Sequence, residues 1–396
     1  MAPPIVAIET IRWGQQPNVL WVRLTDADGA HGLGETFYSA GAVESIVHEL
    51  AGPLVLGRPA SAERTALELF AVASFAGYAG AELRAFSALD IALWDLLGRR
   101  CGVSVGELLG GRVRESIPTY NTCVSAGDYD DGDAFLERPA ELAADLLERG
   151  VRAMKIWPWD RFAPQVDASV LTGPAGWSAV GPPGHRLPPE DLAQGLWSVQ
   201  EAVRATEGRM TVLIEGHGRW DATCAIAICR ALEPLTVGWA EDLMLSDSAD
   251  DLRRLVTETR VPQAVSERLM SRHAYRRVLE AGAAHVAKVD VAWTGGLTEA
   301  RKIAALADTY HLPVAPHDCT GPVTFAASLQ LCAHAPNAMV MESVRGFCEG
   351  WYREALDGSP VPEGGTIAIP DRPGLGVELS AAFLERPDVT VTRSEA

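Results

Sequence analysis

Residues 286–317 read VAKVDVAWTGGLTEARKIAALADTYHLPVAPH. A short apolar segment ends in Asp290, a helix-like stretch follows, and a second apolar segment ends just before His317. That is one strand–helix–strand unit. A strand that is apolar at nearly every position is buried on both faces, as in a parallel sheet covered by helices. The same rhythm runs outward from this unit. Further strands are predicted at about 117–122, 151–157, 210–215, 237–241, 262–266 and 338–342. Helix-like stretches lie between most of them, such as 189–206, where Leu192, Leu196 and Val199 make a stripe. Eight such strands imply a barrel. A doubly wound open sheet would want a glycine-rich phosphate turn after its first strand, and none is present.

The ends of the chain read differently. Leu20, Val22 and Leu24 alternate with Trp21 and Arg23 before an Asp28-Gly29 turn, which predicts antiparallel strands. A helix is predicted over about 79–97, from Leu83, Phe86, Leu89, Leu93, Leu96 and Leu97, with Gly98 as its stop. The expected organisation is an α+β unit over 1–115, a barrel over 116–354, and a Pro- and Gly-rich tail over 355–396 that returns to the first unit. Residues 158–188 carry six prolines and three tryptophan or phenylalanine side chains (Trp159, Phe162, Trp177). A connection of that length predicts an ordered lid.

The chain has 396 residues, 34 Lys+Arg and 52 Asp+Glu, for a formal net charge of −18. That balance argues against sequence-independent nucleic-acid binding and against an anionic membrane surface. No apolar run reaches the ~18–20 residues of a membrane span, and the start lacks a signal-peptide core, so a cytoplasmic location is expected. The seven cysteines are scattered without C-x-x-C spacing and read mostly as small buried hydrophobes.

In a parallel barrel, chemistry sits at the carboxyl ends of the strands. The polar residues there are Lys155, Glu215, Glu241, Glu267, Asp290, His317 and Glu342, and from Glu215 onward they are 23 to 27 residues apart. One strand–helix unit separates each pair, so the side chains should share one ring. Unpaired, three neighbouring carboxylates would repel one another, and a divalent cation removes that problem. Glu215, Glu241 and Glu267 are hard oxygen ligands that suit Mg2+ better than zinc. Asp290 can fix the tautomer of His317 on the next strand, which makes His317 a candidate general base. Lys155 is a second base or a cationic partner for an enolate. His217 follows Glu215 by two residues and can serve as an acid.

These residues resemble the enolase superfamily in its mandelate racemase subgroup, over nearly the whole chain. The stretch ALDIALWDLLGRRCGVSVGELLGG (88–111) is similar to that family's helix-and-turn signature. Within the subgroup, the nearest resemblance is to the acid-sugar dehydratases, the galactonate dehydratases among them. It is carried by Glu215-Gly216-His217-Gly218-Arg219, by Ser266-Glu267-Arg268-Leu269-Met270-Ser271-Arg272, and by Ala315-Pro316-His317 with Gly321-Pro322.

The resemblance implies a modified (β/α)7β TIM-like barrel under an α+β capping domain formed by the N-terminal region and the C-terminal tail. It implies Mg2+ on Glu215, Glu241 and Glu267, and proton removal from C2 by His317 with Asp290. His217 would protonate the departing 3-hydroxyl, and Glu342 would bind the substrate carboxylate. Trp157, Arg219 and Arg268 are candidate substrate contacts. The implied substrate is a small polyhydroxy carboxylate, aldonate or aldarate, converted to a 2-keto-3-deoxy acid, and the implied assembly is a homo-oligomer from dimer to octamer. Two departures stand out: the first metal ligand is Glu where Asp is usual, and Lys155-Ile156-Trp157 replaces the Lys-x-Lys of the subgroup's racemases. The alternative is a racemase, epimerase or cycloisomerase using the same enediolate.

Overall fold

The computed structural model of the protein describes residues 3–77, 79–166 and 180–396. Strands β1 (Ile5–Trp13), β2 (Gln16–Asp26) and β3 (His31–Phe37) form an antiparallel meander. The hairpin turn between β2 and β3 is fixed by Asp26, whose Oδ1 accepts the N–H groups of Asp28 and Ala30 at 3.0 Å. The alternation read in β2 does not mark a solvated face, because Leu20, Trp21, Val22 and Leu24 are all 0% exposed. One face of the sheet packs on the helix Ala81–Cys101, while Trp21 meets the ring of Phe383 from the tail edge-on at 5.3 Å.

That helix runs four residues past the predicted stop. Its left-handed terminal residue is Gly102, at φ 69°. Gly98 lies inside the helix and serves a different end: a Cβ there would stand 2.7 Å from Gly374 Cα. Close approach recurs on the other side, where a Cβ at Gly34 of β3 would meet Ala88 O at 1.8 Å. The helix is therefore pressed between the sheet and the tail.

The barrel follows. Its strands are β4 (Ser116–Thr122), β5 (Ala153–Ile156), β6 (Thr211–Glu215), β7 (Ala240–Glu241), β8 (Gln263–Val265), β9 (Val286–Val289), β10 (Val314–Pro316) and β11 (Met341–Ser343). All pair in parallel, in the order β10-β9-β8-β7-β6-β5-β4-β11. The ring closes just ahead of β11, where Val314 N–H donates to Asn337 O and Met339 N–H to Val314 O, each at 3.0 Å. Tyr120, Leu213, Trp239, Ala264, Val286 and Ala315 fill the lower interior, so the barrel is packed rather than hollow.

The tail does more than the sequence predicts. Strand β12 (Leu356–Asp357) pairs β14 (Glu378–Leu379), and between them β13 (Thr366–Ala368) pairs antiparallel with β4 at the foot of the barrel. Only then does β15 (Val389–Glu395) join β1, in a register running from Ala7 opposite Glu395 to Trp13 opposite Val389.

Buried polar residues bind cap to barrel. Asp90 accepts from Thr298 N at 2.8 Å and from its hydroxyl at 2.5 Å, and Trp94 Nε1 donates to the same hydroxyl at 2.9 Å. Glu35 accepts the N–H groups of Val323 and Thr324 at the start of the helix Pro322–His334, a placement that the helix dipole favours for a carboxylate. Burial nevertheless pushes both carboxyls up to about 7. Of the cysteines, all free, five are buried, as their scatter predicts. Among the described residues, no helix is long and apolar enough to cross a membrane.

Candidate active site

Each strand carries its polar residue to the end of the barrel that faces the cap. Lys155 is buried there, and its Nζ lies 2.8 Å from Glu342 Oε1, 3.0 Å from Glu241 Oε1 and 3.3 Å from Glu215 Oε2. Burial disfavours an ammonium, but Glu241, Glu342, Tyr120 and Glu215 outweigh it and hold Lys155 well above its ordinary pKa. Lys155 is therefore a cation in this arrangement.

A second buried lysine lies below it. Lys288 Nζ donates to the Tyr120 hydroxyl at 2.5 Å and to Glu342 Oε2 at 3.1 Å, and lies 3.7 Å from Glu241 Oε1. Glu342 also accepts from the Thr122 hydroxyl and from Asp318 N–H at 3.2 Å. Burial would raise its pKa, but Lys155, Lys288 and His317 drive it well below the carboxylate range. Both of its oxygens are thus engaged by protein groups, which places it under the site as a charge hub. Glu241, deeper among carboxylates, is raised by burial to about 7 despite both lysines.

Above this layer lies a cavity of about 350 Å3. Lys155, Glu215, His217, Glu267, Arg268 and His317 line it from the barrel, and Tyr38, Ser39 and Arg84 line it from the cap. Its size suits a small metabolite rather than a polymer segment.

Two histidines face this cavity, each backed by an aspartate. His317 Nδ1 lies 2.7 Å from Asp290 Oδ2. Burial opposes its protonation, but Glu342, Asp290 and Glu267 raise its pKa to about 9. His217 Nδ1 lies 2.5 Å from Asp160 Oδ2. Burial again opposes protonation, and Glu215 and Asp160 outweigh it. The backbone at His217 is left-handed, at φ 45°, and so is Asp242 at φ 40° at the end of the next strand. Strain in non-glycine residues concentrates at functional sites.

The other sequence candidates separate. Trp157 stands behind His217, edge-on at 5.5 Å, and braces it against Phe135 at 4.9 Å. Arg219 is 1% exposed and is not among the residues that line the cavity: its guanidinium donates to Pro164 O and packs against Gly181. It therefore holds the long connection that follows β5. Arg268 lines the cavity, with Nε 3.4 Å from Glu267 Oε1.

That connection is tied at its described ends, by Trp159 Nε1 to Leu192 O at 3.2 Å, Val166 N–H to Val180 O at 3.0 Å and Gly184 N–H to Arg219 O at 2.8 Å. The middle of the expected lid, with Trp177, lies outside the described residues.

Among the described residues, no three His, Cys, Asp or Glu side chains stand gathered as a metal cluster. Glu215 and Glu241 turn toward the Lys155 ammonium, and Glu267 toward Arg268. The donor chemistry still fits a hard dication. Glu267 Oε2 is buried without a hydrogen-bond partner. Burial would raise its carboxyl, but His317, Arg268 and Lys155 lower it to about 2, so it is an anion. The extra methylene of Glu215 lets Oε1 fold back onto the N–H groups of Gly216 and His217, at 3.0 and 2.8 Å, while Oε2 reaches inward.

Four participants are absent from the sequence-based set. Lys288 carried a signal, since a lysine inside an apolar strand, two residues before Asp290, points to the same side. Asp160, Arg84 and Tyr38 reach the site through loop path and domain docking, which leave no local pattern.

Two family models match the chain. One, described as the mandelate racemase / muconate lactonizing enzyme N-terminal domain, covers residues 1–110, and one described as enolase C-terminal domain-like covers residues 138–383. Among curated relatives, a D-galactonate dehydratase of Variovorax paradoxus (strain S110) is 32% identical over 374 residues, 92% of this chain and 89% of that protein. Another from Ralstonia nicotianae is 32% identical over 382 residues, 93% and 90% of the two chains. Among solved structures, an enolase of the mandelate racemase subgroup from Agrobacterium tumefaciens is 39% identical with a TM-score of 0.86, covering 99% of both chains. An enolase from Sargasso Sea environmental sequencing is 36% identical with a TM-score of 0.87, covering 100% of this chain and 99% of its own.

Proposed function

The chain belongs to the mandelate racemase / muconate lactonizing enzyme family of the enolase superfamily, and from that premise we propose that it is a magnesium-dependent dehydratase of acid sugars. The observation that carries this reading is the pair of Asp–His dyads, Asp290–His317 and Asp160–His217, facing one cavity. Dehydration needs a base at C2 and an acid at the 3-hydroxyl, and the two dyads supply two separate groups of that kind. The kinship with D-galactonate dehydratases supports the same reaction class.

Glu215, Glu241 and Glu267 would hold the Mg2+. When bound, it supplies Lewis-acid stabilisation of charge developing on a substrate carboxylate. Asp290 accepts the Nδ1 proton of His317 and leaves Nε2 to take the proton from C2. Asp160 orients His217 likewise, so that its Nε2–H can be given to the 3-hydroxyl as it leaves as water. The C2=C3 enol that remains tautomerises to a 2-keto-3-deoxy acid. Lys155 and Arg268 are cationic wall, and Lys155 with Lys288 keeps Glu342 ionised below.

A two-base racemase fits less well. Trp157 occupies the position of that subgroup's second lysine, and Lys155 is held as an ammonium by three carboxylates. The deciding experiment incubates the Mg2+-loaded enzyme with a panel of aldonates and aldarates and assays 2-keto acid. An isomerase produces none, and that result would reject dehydration.

A further inference from the structure

The roof of the cavity contains an arginine whose partners are incomplete. Arg84 lies in the first turn of the helix Ala81–Cys101 and lines the cavity. Its guanidinium carbon is 4.2 Å from the centroid of the Trp293 ring and 5.6 Å from that of Tyr38. The two rings are themselves 5.7 Å apart. One N–H, on Nη1, donates to Phe37 O at 2.8 Å. No carboxylate lies within 4.0 Å of Arg84 among the described residues, whereas Arg268 on the same cavity has Glu267. Aromatic contacts leave the in-plane N–H groups of a guanidinium as its remaining donors.

The chain segment beneath is strained. Tyr38 and Ser39, consecutive and both lining the cavity, have φ of 71° and 57°. Neither is glycine, so this backbone is held against its preference, as happens where a side chain must be aimed. Trp293 spans the distance from the base to the roof: its ring is 5.3 Å from that of His317 and carries Arg84 beyond it. His317, Trp293 and Arg84 thus line one continuous wall of the cavity, along which a ligand with its C2 at His317 has room to extend. Burial lowers the Arg84 pKa to about 10, which leaves it charged at neutral pH.

We propose that Arg84, between Tyr38 and Trp293, receives a second carboxylate at the end of the substrate remote from C1, so that the preferred substrates are diacids (aldarates) rather than aldonates. This rests on the dehydratase reading above. Arginine suits the task because its planar N–H pairs match a carboxylate bidentately. An aldonate brings only a hydroxymethyl group to the same place and leaves the donors less well paired.

The test uses matched aldarates and aldonates of the same configuration, with the full chain loaded with Mg2+. Formation of 2-keto acid and equilibrium binding by calorimetry are both measured. The aldarate should exceed its aldonate by roughly 10- to 100-fold in kcat/KM. Arg84→Met should bring that ratio down toward one, chiefly through KM for the diacid. Arg84→Lys, which keeps the charge but not the fork, should restore part of it. A wild-type preference for the aldonate overturns the proposal, as does an Arg84→Met variant that weakens both acids equally. A 6-phosphoaldonate is the third arm: if it is preferred and that preference is lost in Arg84→Met, the anion is a phosphate and the carboxylate assignment falls. If neither acid yields 2-keto acid, the dehydratase reading fails, while binding still decides this proposal. Tighter aldarate binding that depends on Arg84 supports it, and equal binding of the two acids overturns it.

Discussion

Asp160 presents Oδ2 to Nδ1 of His217 at 2.5 Å, the same ring nitrogen that His317 offers to Asp290 at 2.7 Å. One aspartate comes from the connection after β5 and the other from the end of β9. The two imidazoles therefore share one orientation device on separate elements, and their roles can be separated by mutation.

His317→Asn should abolish exchange of the C2 proton with deuterated solvent and lower dehydration by about 10²–10⁴. His217→Asn should lose dehydration over a similar range while C2 exchange persists. Proton NMR of the substrate in D2O reads both. Full exchange in His317→Asn would remove it as the base.

Asp160→Asn should behave as a milder His217 variant. It leaves the imidazole in place but no longer fixes its tautomer, so dehydration should fall by roughly 10–10³ with C2 exchange retained. Loss of exchange and dehydration together would instead indicate a collapsed pocket.

Without metal, His317 should titrate near 9 by NMR, because Glu342, Asp290 and Glu267 outweigh its burial. The sign follows from a folded pKa above the unfolded ~6.5. Protonated His317 stabilises the metal-free fold fully below that unfolded value, and the contribution is lost as pH rises through about 9. A dication on the neighbouring carboxylates competes with the proton, so Mg2+ should move the transition downward and extend base-form activity toward neutral pH. Chelation by EDTA should reverse the shift and stop turnover. A His317 transition unmoved by Mg2+ would argue against a metal on Glu267.

Lys288→Met should destabilise the fold by about 3–5 kcal/mol, since it strips one counter-charge from buried Glu342 and Glu241. Denaturant unfolding measures this. A loss below about 1 kcal/mol would mean that Lys155 alone compensates both carboxylates.

The strand-end ring was legible because a parallel barrel has a repeat: each unit of about 25 residues returns the chain to the same rim, so spacing alone aligns Glu215, Glu241, Glu267, Asp290, His317 and Glu342. What spacing cannot convey is how neighbours share charge once buried. Glu342 reads as a substrate contact, yet its oxygens are taken by Lys155, Thr122, Lys288 and the Asp318 N–H. Arg219 reads as a mouth residue, yet it braces a loop whose course no periodicity dictates. The helix runs on past Gly98 for a related reason: a glycine can serve close packing, here against Gly374, as well as termination. Arg84 and Tyr38 enter the site only when the cap docks, through contacts such as Asp90 with Thr298 that join residues 208 positions apart.

The pairing of β15 with β1 carries a consequence for how the molecule is made. The sheet that supports Tyr38 and Arg84 has Thr10 opposite Thr392, so one of its edges stays open until some 380 intervening residues have been synthesised. Contacts this remote in sequence are slow to form. The barrel can assemble its carboxylates before that edge is covered, which makes completion of the roof a late event in the birth of the enzyme and leaves β1, until then, as the edge most in need of protection.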